Sequence, residues 1–248
     1  MRSLCFLSVL LFGGLIGCGG EKTKKGNSSQ EPEKVSYKVA YSGETTELLS
    51  RCDSAGWPYT VDTVLLDSVI QFDSLNGKEV EWLYVSVEKN KLNQSVSYEV
   101  EEFLVIDSIK QTGTYATWAD QRDIGQTKYS NAYLLHKIHL SDTSDIITWA
   151  ITYATLEACP YASGTIIFAT IFYKGIATSC TLIGEDMGAG DPPSGMTRVI
   201  TGNISEEGKI SLHLKEISTD SGEEGETQEK TENDFIFLIK SGDVNLAK

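Results

Sequence analysis

A chain of 248 residues that is 40% hydrophobic holds enough apolar side chain for one β-domain of ordinary size or two small ones. Its formal net charge of -14 sets the surface against phosphate backbones and argues against nucleic-acid binding. With three histidines and no close cysteine pair, zinc chemistry has little to build on.

Met1 and Arg2 give a short positive start, and residues 4–16 then run LCFLSVLLFGGLI without a charge. This is the core of a secretory signal: it is shorter than the roughly 20 apolar residues of a bilayer-spanning helix, and polar sequence follows at once. The run closes on Leu15-Ile16-Gly17-Cys18, which resembles the lipobox of bacterial lipoprotein precursors. The resemblance ends at Cys18. It implies that the Cys18 thiol receives a diacylglycerol and that a dedicated peptidase cuts after Gly17. Two or three acyl chains then hold the mature chain stably at a membrane. In lipoproteins of enteric type an aspartate after the lipidated cysteine marks inner-membrane retention, so Gly19 favours the outer membrane. Residues 19–34, GGEKTKKGNSSQEPEK, offer no aliphatic or aromatic side chain to bury and read as a flexible tether.

From residue 35 onward the dominant period is two, the signature of half-buried strands. Val35, Tyr37, Val39 and Tyr41 alternate with small or polar residues. Residues 44–52 are the one stretch expected to make a short helix, burying Leu48 and Leu49. Residues 60–72 are expected as one strand or two, Asn76-Gly77 as a turn, and 78–88 as a strand with Val80, Trp82 and Tyr84 on one face. Residues 95–107 alternate again. Residues 129–140 and 146–156 are expected to pair antiparallel. Residues 165–173 are apolar on both faces and make a central strand, which Lys174-Gly175 turns into 176–184.

A Gly- and Pro-rich loop is expected over 184–195, GEDMGAGDPPSG. Strands at 197–204 and 209–217 then flank Ser205 to Gly208, with Gly208 in the left-handed position. Residues 216–234 carry almost no apolar side chain and are expected as a mobile acidic loop, before 235–239 closes the fold as a buried strand. The expected architecture is an all-β antiparallel sandwich or barrel of about ten strands with at most one short helix, in a single domain over 35–241. A split near 110–128 is the alternative division.

Of five cysteines, Cys5 leaves with the signal and Cys18 takes lipid, leaving Cys52, Cys159 and Cys180 in an oxidising compartment. A Cys159–Cys180 disulfide is the preferred pairing, with Cys52–Cys159 nearly as suitable. On a strand, His136 and His139 point to opposite faces and cannot share an ion. No nucleophile elbow occurs, and the carboxylates are too many to single out a catalytic pair. The candidate binding surface is therefore a set of loop residues, Trp57, Tyr59, Asp186 and Asp191. No catalytic residue, metal or cofactor is assigned.

The sequence thus points to a lipid-anchored cell-envelope protein with a β-rich binding domain for a protein, glycan or small ligand. An exported, carboxylate-dependent hydrolase of envelope polymers is the alternative.

Overall fold

The computed structural model describes residues 41, 43–85, 99–101, 103–104, 127–155, 161–191, 194–222 and 225–247. The expected signal, Cys18, the tether, Cys159, the strand over 35–41 apart from Tyr41, and almost all of 110–128 lie outside them.

Eight long or terminal strands follow one another: β4 (Thr127–Ser141), β5 (Ser144–Thr155), β6 (Tyr161–Tyr173), β7 (Ile176–Asp191), β8 (Ser194–Ile204), β9 (Lys209–Gly222), β10 (Gly225–Lys240) and β11 (Asp243–Leu246). Three short ones precede them: β1 (Asp53–Ala55), β2 (Tyr59–Val61) and β3 (Asp73–Leu75). All join one open sheet in the order β1-β4-β5-β6-β7-β8-β9-β10-β11, with β2 attached to β8 and β3 to β4. The fold is all-β and its pairings are antiparallel, except that β1 runs parallel to β4.

The hairpins follow from their turn residues. Lys174 and Gly175 both adopt positive φ, 52° and 84°, the twist-matched two-residue turn that joins β6 to β7. Gly208 takes φ 75° between β8 and β9, where a side chain would be strained. A bulge near Thr178 then slips the β6–β7 register by one, so Cys180 faces Thr170 rather than the Ala169 that simple counting gives.

From Ser144 to Tyr153, β5 is buried on both faces. One face carries Trp149 and Phe168, stacked with ring centroids 4.6 Å apart. It is covered by Tyr84, and Thr170 of the same face donates to the Leu83 carbonyl at 2.6 Å. The other face carries Thr148, which meets Tyr59 of β2.

Several expected strands are helices instead. The expected short helix is present as α1 (Gly43–Ser50) with Leu48 and Leu49 buried, but it is not alone. After β2 come α2 (Thr63–Ser68), capped by the Asp62 carboxylate accepting from Leu65 N–H, and a single 3-10 turn (Val69–Gln71). Asn76-Gly77 opens α3 (Gly77–Leu83) rather than a hairpin: Asn76 Oδ1 accepts from Glu79 N–H while the Glu79 carboxylate accepts from Asn76 N–H. That reciprocal capping box satisfies two orphan donors that a hairpin would leave to water. Of the strand expected over 95–107, residues 99–101 and 103–104 are helical, with Val100 and Phe103 buried three residues apart.

Two expected loops are strands. Residues 184–191 continue β7, and β8 begins at Ser194. Of the acidic stretch, residues 216–222 and 225–234 form the outer half of a regular β9–β10 pair, matched from Gly222↔Gly225 down to Leu238↔Lys209. Its threonines and alternating charges suit a pleated, solvated surface, so neighbouring strands organise what lacks a core of its own.

Candidate functional site

The four residues singled out from the sequence are not brought together. Trp57 packs half-buried against the core. Tyr59 is only 5% exposed, and its hydroxyl lies 3.0 Å from Thr148 Oγ1 and 3.1 Å from His136 Nδ1, so it anchors β2 inside the fold. Asp186 and Asp191 both lie on β7, five residues or about 17 Å apart. Burial, and then repulsion from Asp67 of α2, raises the Asp186 carboxyl. Asp191 is exposed at the far end of the strand.

No disulfide joins the described cysteines, and Cys159 of the expected pair lies outside them. Cys180 is a free thiol with no exposed surface, pushed up to about 12 by burial beside Thr170 and Trp149. It sits on the β7 face that Trp149 helps to fill, with no cysteine in reach among the described residues. Cys52 is free as well, half-buried and likewise raised to about 12, first by burial. His136 and His139 turn to opposite faces, His136 toward Tyr59 and His139 toward Asp145 at 2.9 Å. Asp145 is itself nearly buried and gathers three partners: His139, Lys137 at 3.1 Å and the Tyr41 hydroxyl. Those groups complete a carboxylate that would otherwise be stranded at the edge of the core.

A second buried acid lies on the Trp149 face. Glu185 of β7 has no exposed surface and is held by Arg198 of β8 in two parallel bonds, Nε to Oε2 at 2.9 Å and Nη2 to Oε1 at 2.7 Å. The two residues sit diagonally across the β7–β8 ladder, where Glu185 pairs with Ile200 and Arg198 with Met187. The Glu99 carboxyl approaches this pair from the helical residues 99–101 and 103–104. Burial pushes it up to about 6, and Glu185 adds to the rise while Arg198 opposes it. Glu99 Oε2 is buried without a hydrogen-bond partner among the described residues, and so is the hydroxyl of Ser130, the cross-strand neighbour of Tyr153. Burial and then the charges of Glu99 and Glu185 also raise the Tyr153 phenol. Sequence reading missed this cluster because strand pairing and one helical turn, not proximity in the chain, assemble it.

The linkage at Glu99 has a definite sign. A carboxyl whose folded pKa is about 6, above the ordinary 4.5, binds its proton more tightly when folded. Stability is therefore greatest below pH 4.5 as far as this group is concerned, and falls as pH rises through about 6, by at most about 2 kcal/mol. Glu99→Gln should abolish that slope in urea unfolding measured from pH 4.5 to 7; an unchanged slope would show that Glu99 is solvated.

An open groove of about 540 Å³ lies on the outer surface of β2, β8, β9 and β10. Its lip carries Thr60, Asn203, Ser211 and the His213–Asp234 pair at 2.8 Å beside the exposed Ile236, whereas Val61, Gly202 and Phe235 lie in one cross-strand row with the buried Leu212 and turn to the opposite, core-facing side. Period two explains the lip, since Ser211 and His213 turn outward between the buried Ile210, Leu212 and Leu214. Asn203 reaches across to Thr60 Oγ1 at 3.4 Å, linking β8 to β2. Hydroxyls, an amide, an imidazole and a carboxylate beside Ile236 form a surface that both donates and accepts hydrogen bonds.

No family model, curated protein or solved structure matches this chain.

Proposed function

We propose that the chain is a lipid-anchored envelope protein whose β-domain binds a glycan in the groove across β2, β8, β9 and β10. The anchor rests on the lipobox ending at Cys18. The binding role rests on one observation: the groove is open, and its polar lip, rooted in paired strands, stands beside the exposed Ile236. Polar groups held on strands lose little freedom when a polyhydroxylated ligand docks, and the apolar Ile236 among them suits the C–H faces of sugar rings.

Two experiments bear on the two halves. Metabolic labelling with a fatty acid should mark the native chain and not Cys18→Ala; labelling of the variant would defeat the anchor. A panel of envelope polysaccharides and peptidoglycan fragments should contain a ligand that the chain retains. Ser211→Trp, which fills the groove from an outward position, should lower that retention at least tenfold. Retention of no glycan, or retention indifferent to Ser211→Trp, would defeat the groove.

The raised carboxyl of Glu99 beside Glu185 favours a second reading, a carboxylate-dependent hydrolase. Against it stands the position of Glu185, fully buried and already committed to Arg198, so it has no surface to offer a substrate.

A further inference from the structure

The outer half of the β9–β10 hairpin raises a question that the groove does not answer. From Gly225 to Asp234, β10 pairs with β9 on one side and, among the described residues, with nothing on the other. β11 covers the open edge from Phe237 to Lys240, and just beyond it the Ala247 N–H donates to the Ile236 carbonyl at 2.7 Å. Thr227 to Asp234 are each exposed, so this stretch has water on both faces as well as along its edge. In such an edge every second residue turns its N–H and C=O outward, a ready template for one more strand.

The arm is held in place without a core. Ser194 donates to Asp220 Oδ1 at 2.7 Å, Thr219 Oγ1 donates to the Gly195 carbonyl at 3.2 Å, and Thr227 Oγ1 donates to the Asp220 carbonyl at 3.3 Å. These contacts tie β9 to β8 and to β10, so a strand arriving at the edge meets an arm already extended.

Its charge selects the visitor. From Gly225 to Asp234, β10 carries Glu226, Glu229, Glu232 and Asp234 against the single Lys230. A second copy would bring the same carboxylates to the same edge and be repelled, which is how charged edges resist self-association. A strand rich in lysine or arginine meets the opposite sign along its whole length. We infer that the open edge of β10 from Gly225 to Asp234 docks an extended, cationic polypeptide segment of a partner protein by adding it to the sheet. Backbone pairing supplies the affinity, and the carboxylate row supplies the choice of partner and the encounter rate. This inference goes beyond the glycan groove and does not depend on it.

The test uses the full chain in detergent and a ten-residue peptide alternating lysine and threonine, with fluorescence anisotropy as the readout at low salt. A control peptide has the same sequence and charge but carries N-methyl groups on alternate amides, which removes the donors of one edge. The unmethylated peptide should bind at least tenfold more tightly than the control. The triple variant Glu226→Lys, Glu229→Lys, Glu232→Lys should lose at least tenfold with unchanged far-ultraviolet circular dichroism, whereas Ser211→Trp should bind normally. Equal binding of the two peptides would reduce the arm to a diffuse anionic surface and overturn strand addition. Absence of binding, or an undiminished affinity in a folded triple variant, would overturn it too. Loss of peptide binding in Ser211→Trp would place the peptide in the groove and equally defeat the edge.

Discussion

Replacing Arg198 by alanine is expected to cost about 3–5 kcal/mol at pH 7, because it leaves the Glu185 carboxylate buried without its countercharge. The expectation rests on burial rather than on the count of bonds. An exposed pair of the same geometry contributes about 1 kcal/mol at most, but Glu185 has no exposed surface and its two oxygens accept in parallel from one guanidinium. Burial already raises the Glu185 carboxyl while Arg198 pulls it down, so removal of Arg198 raises it further. A folded state that holds a proton more tightly is favoured by acid. The deficit of Arg198→Ala should therefore shrink as pH falls from 7.5 to 5. Urea unfolding at the two pH values measures both the size and the trend. A loss below 1 kcal/mol at both would mean that water reaches the pair. Replacing both partners with apolar residues of similar volume should be far milder than removing one, since no charge is then left stranded.

Truncating Trp149 to alanine should cost about 3–5 kcal/mol, the range for a large buried aromatic. Trp149 is fully buried at the centre of β5, stacks on Phe168, meets Tyr84 edge-on and donates from Nε1 to Thr170 Oγ1 at 2.9 Å. Thr170 in turn donates to the Leu83 carbonyl, so the indole also supports the attachment of α3. Trp149→Phe keeps most of the volume and loses the indole donor, so it should fall well short of the alanine variant. Chemical denaturation of the two variants checks the order. Equal losses would assign the effect to the Trp149–Thr170–Leu83 chain rather than to the cavity.

The candidate sites were only partly legible in the sequence, for reasons that differ from residue to residue. The outward position of His213 follows from its place between Leu212 and Leu214, which the structure buries. Its partner Asp234 lies across the β9–β10 ladder in a segment that composition alone reads as a loop. The Glu99, Glu185 and Arg198 cluster draws on a helical turn and two strands, and no local pattern announces it. Tyr59 illustrates the opposite error. A Trp-Pro-Tyr stretch looks like an exposed loop, yet β2 turns the tyrosine inward to satisfy Thr148 and His136.

The helices show how tertiary and local signals compete. Residues 77–83 alternate well enough to read as a strand, but Asn76 and Glu79 form a capping box that commits the segment to a helix. That signal was present in the sequence as Asn-x-x-Glu and was outweighed by the apparent Asn-Gly turn. Residues 99–104 had no comparable marker; burial of Val100 and Phe103 at helical spacing becomes visible only once the sheet they cover exists.

By itself the sequence determined the all-β class, the strand over 146–155, the central apolar strand over 165–173, the Lys174-Gly175 turn and the left-handed Gly208. Each of these is set by period two or by a backbone conformation that few residues tolerate. Only the tertiary structure decided the bulge that moves Cys180 from Ala169 to Thr170, the helical segments laid on the sheet, the extension of β9 and β10 into an acidic arm, and the meeting of Glu99 with Glu185 and Arg198. Those outcomes depend on which strand lies beside which. Alternation shows which side chains share a face, but not what comes to cover that face.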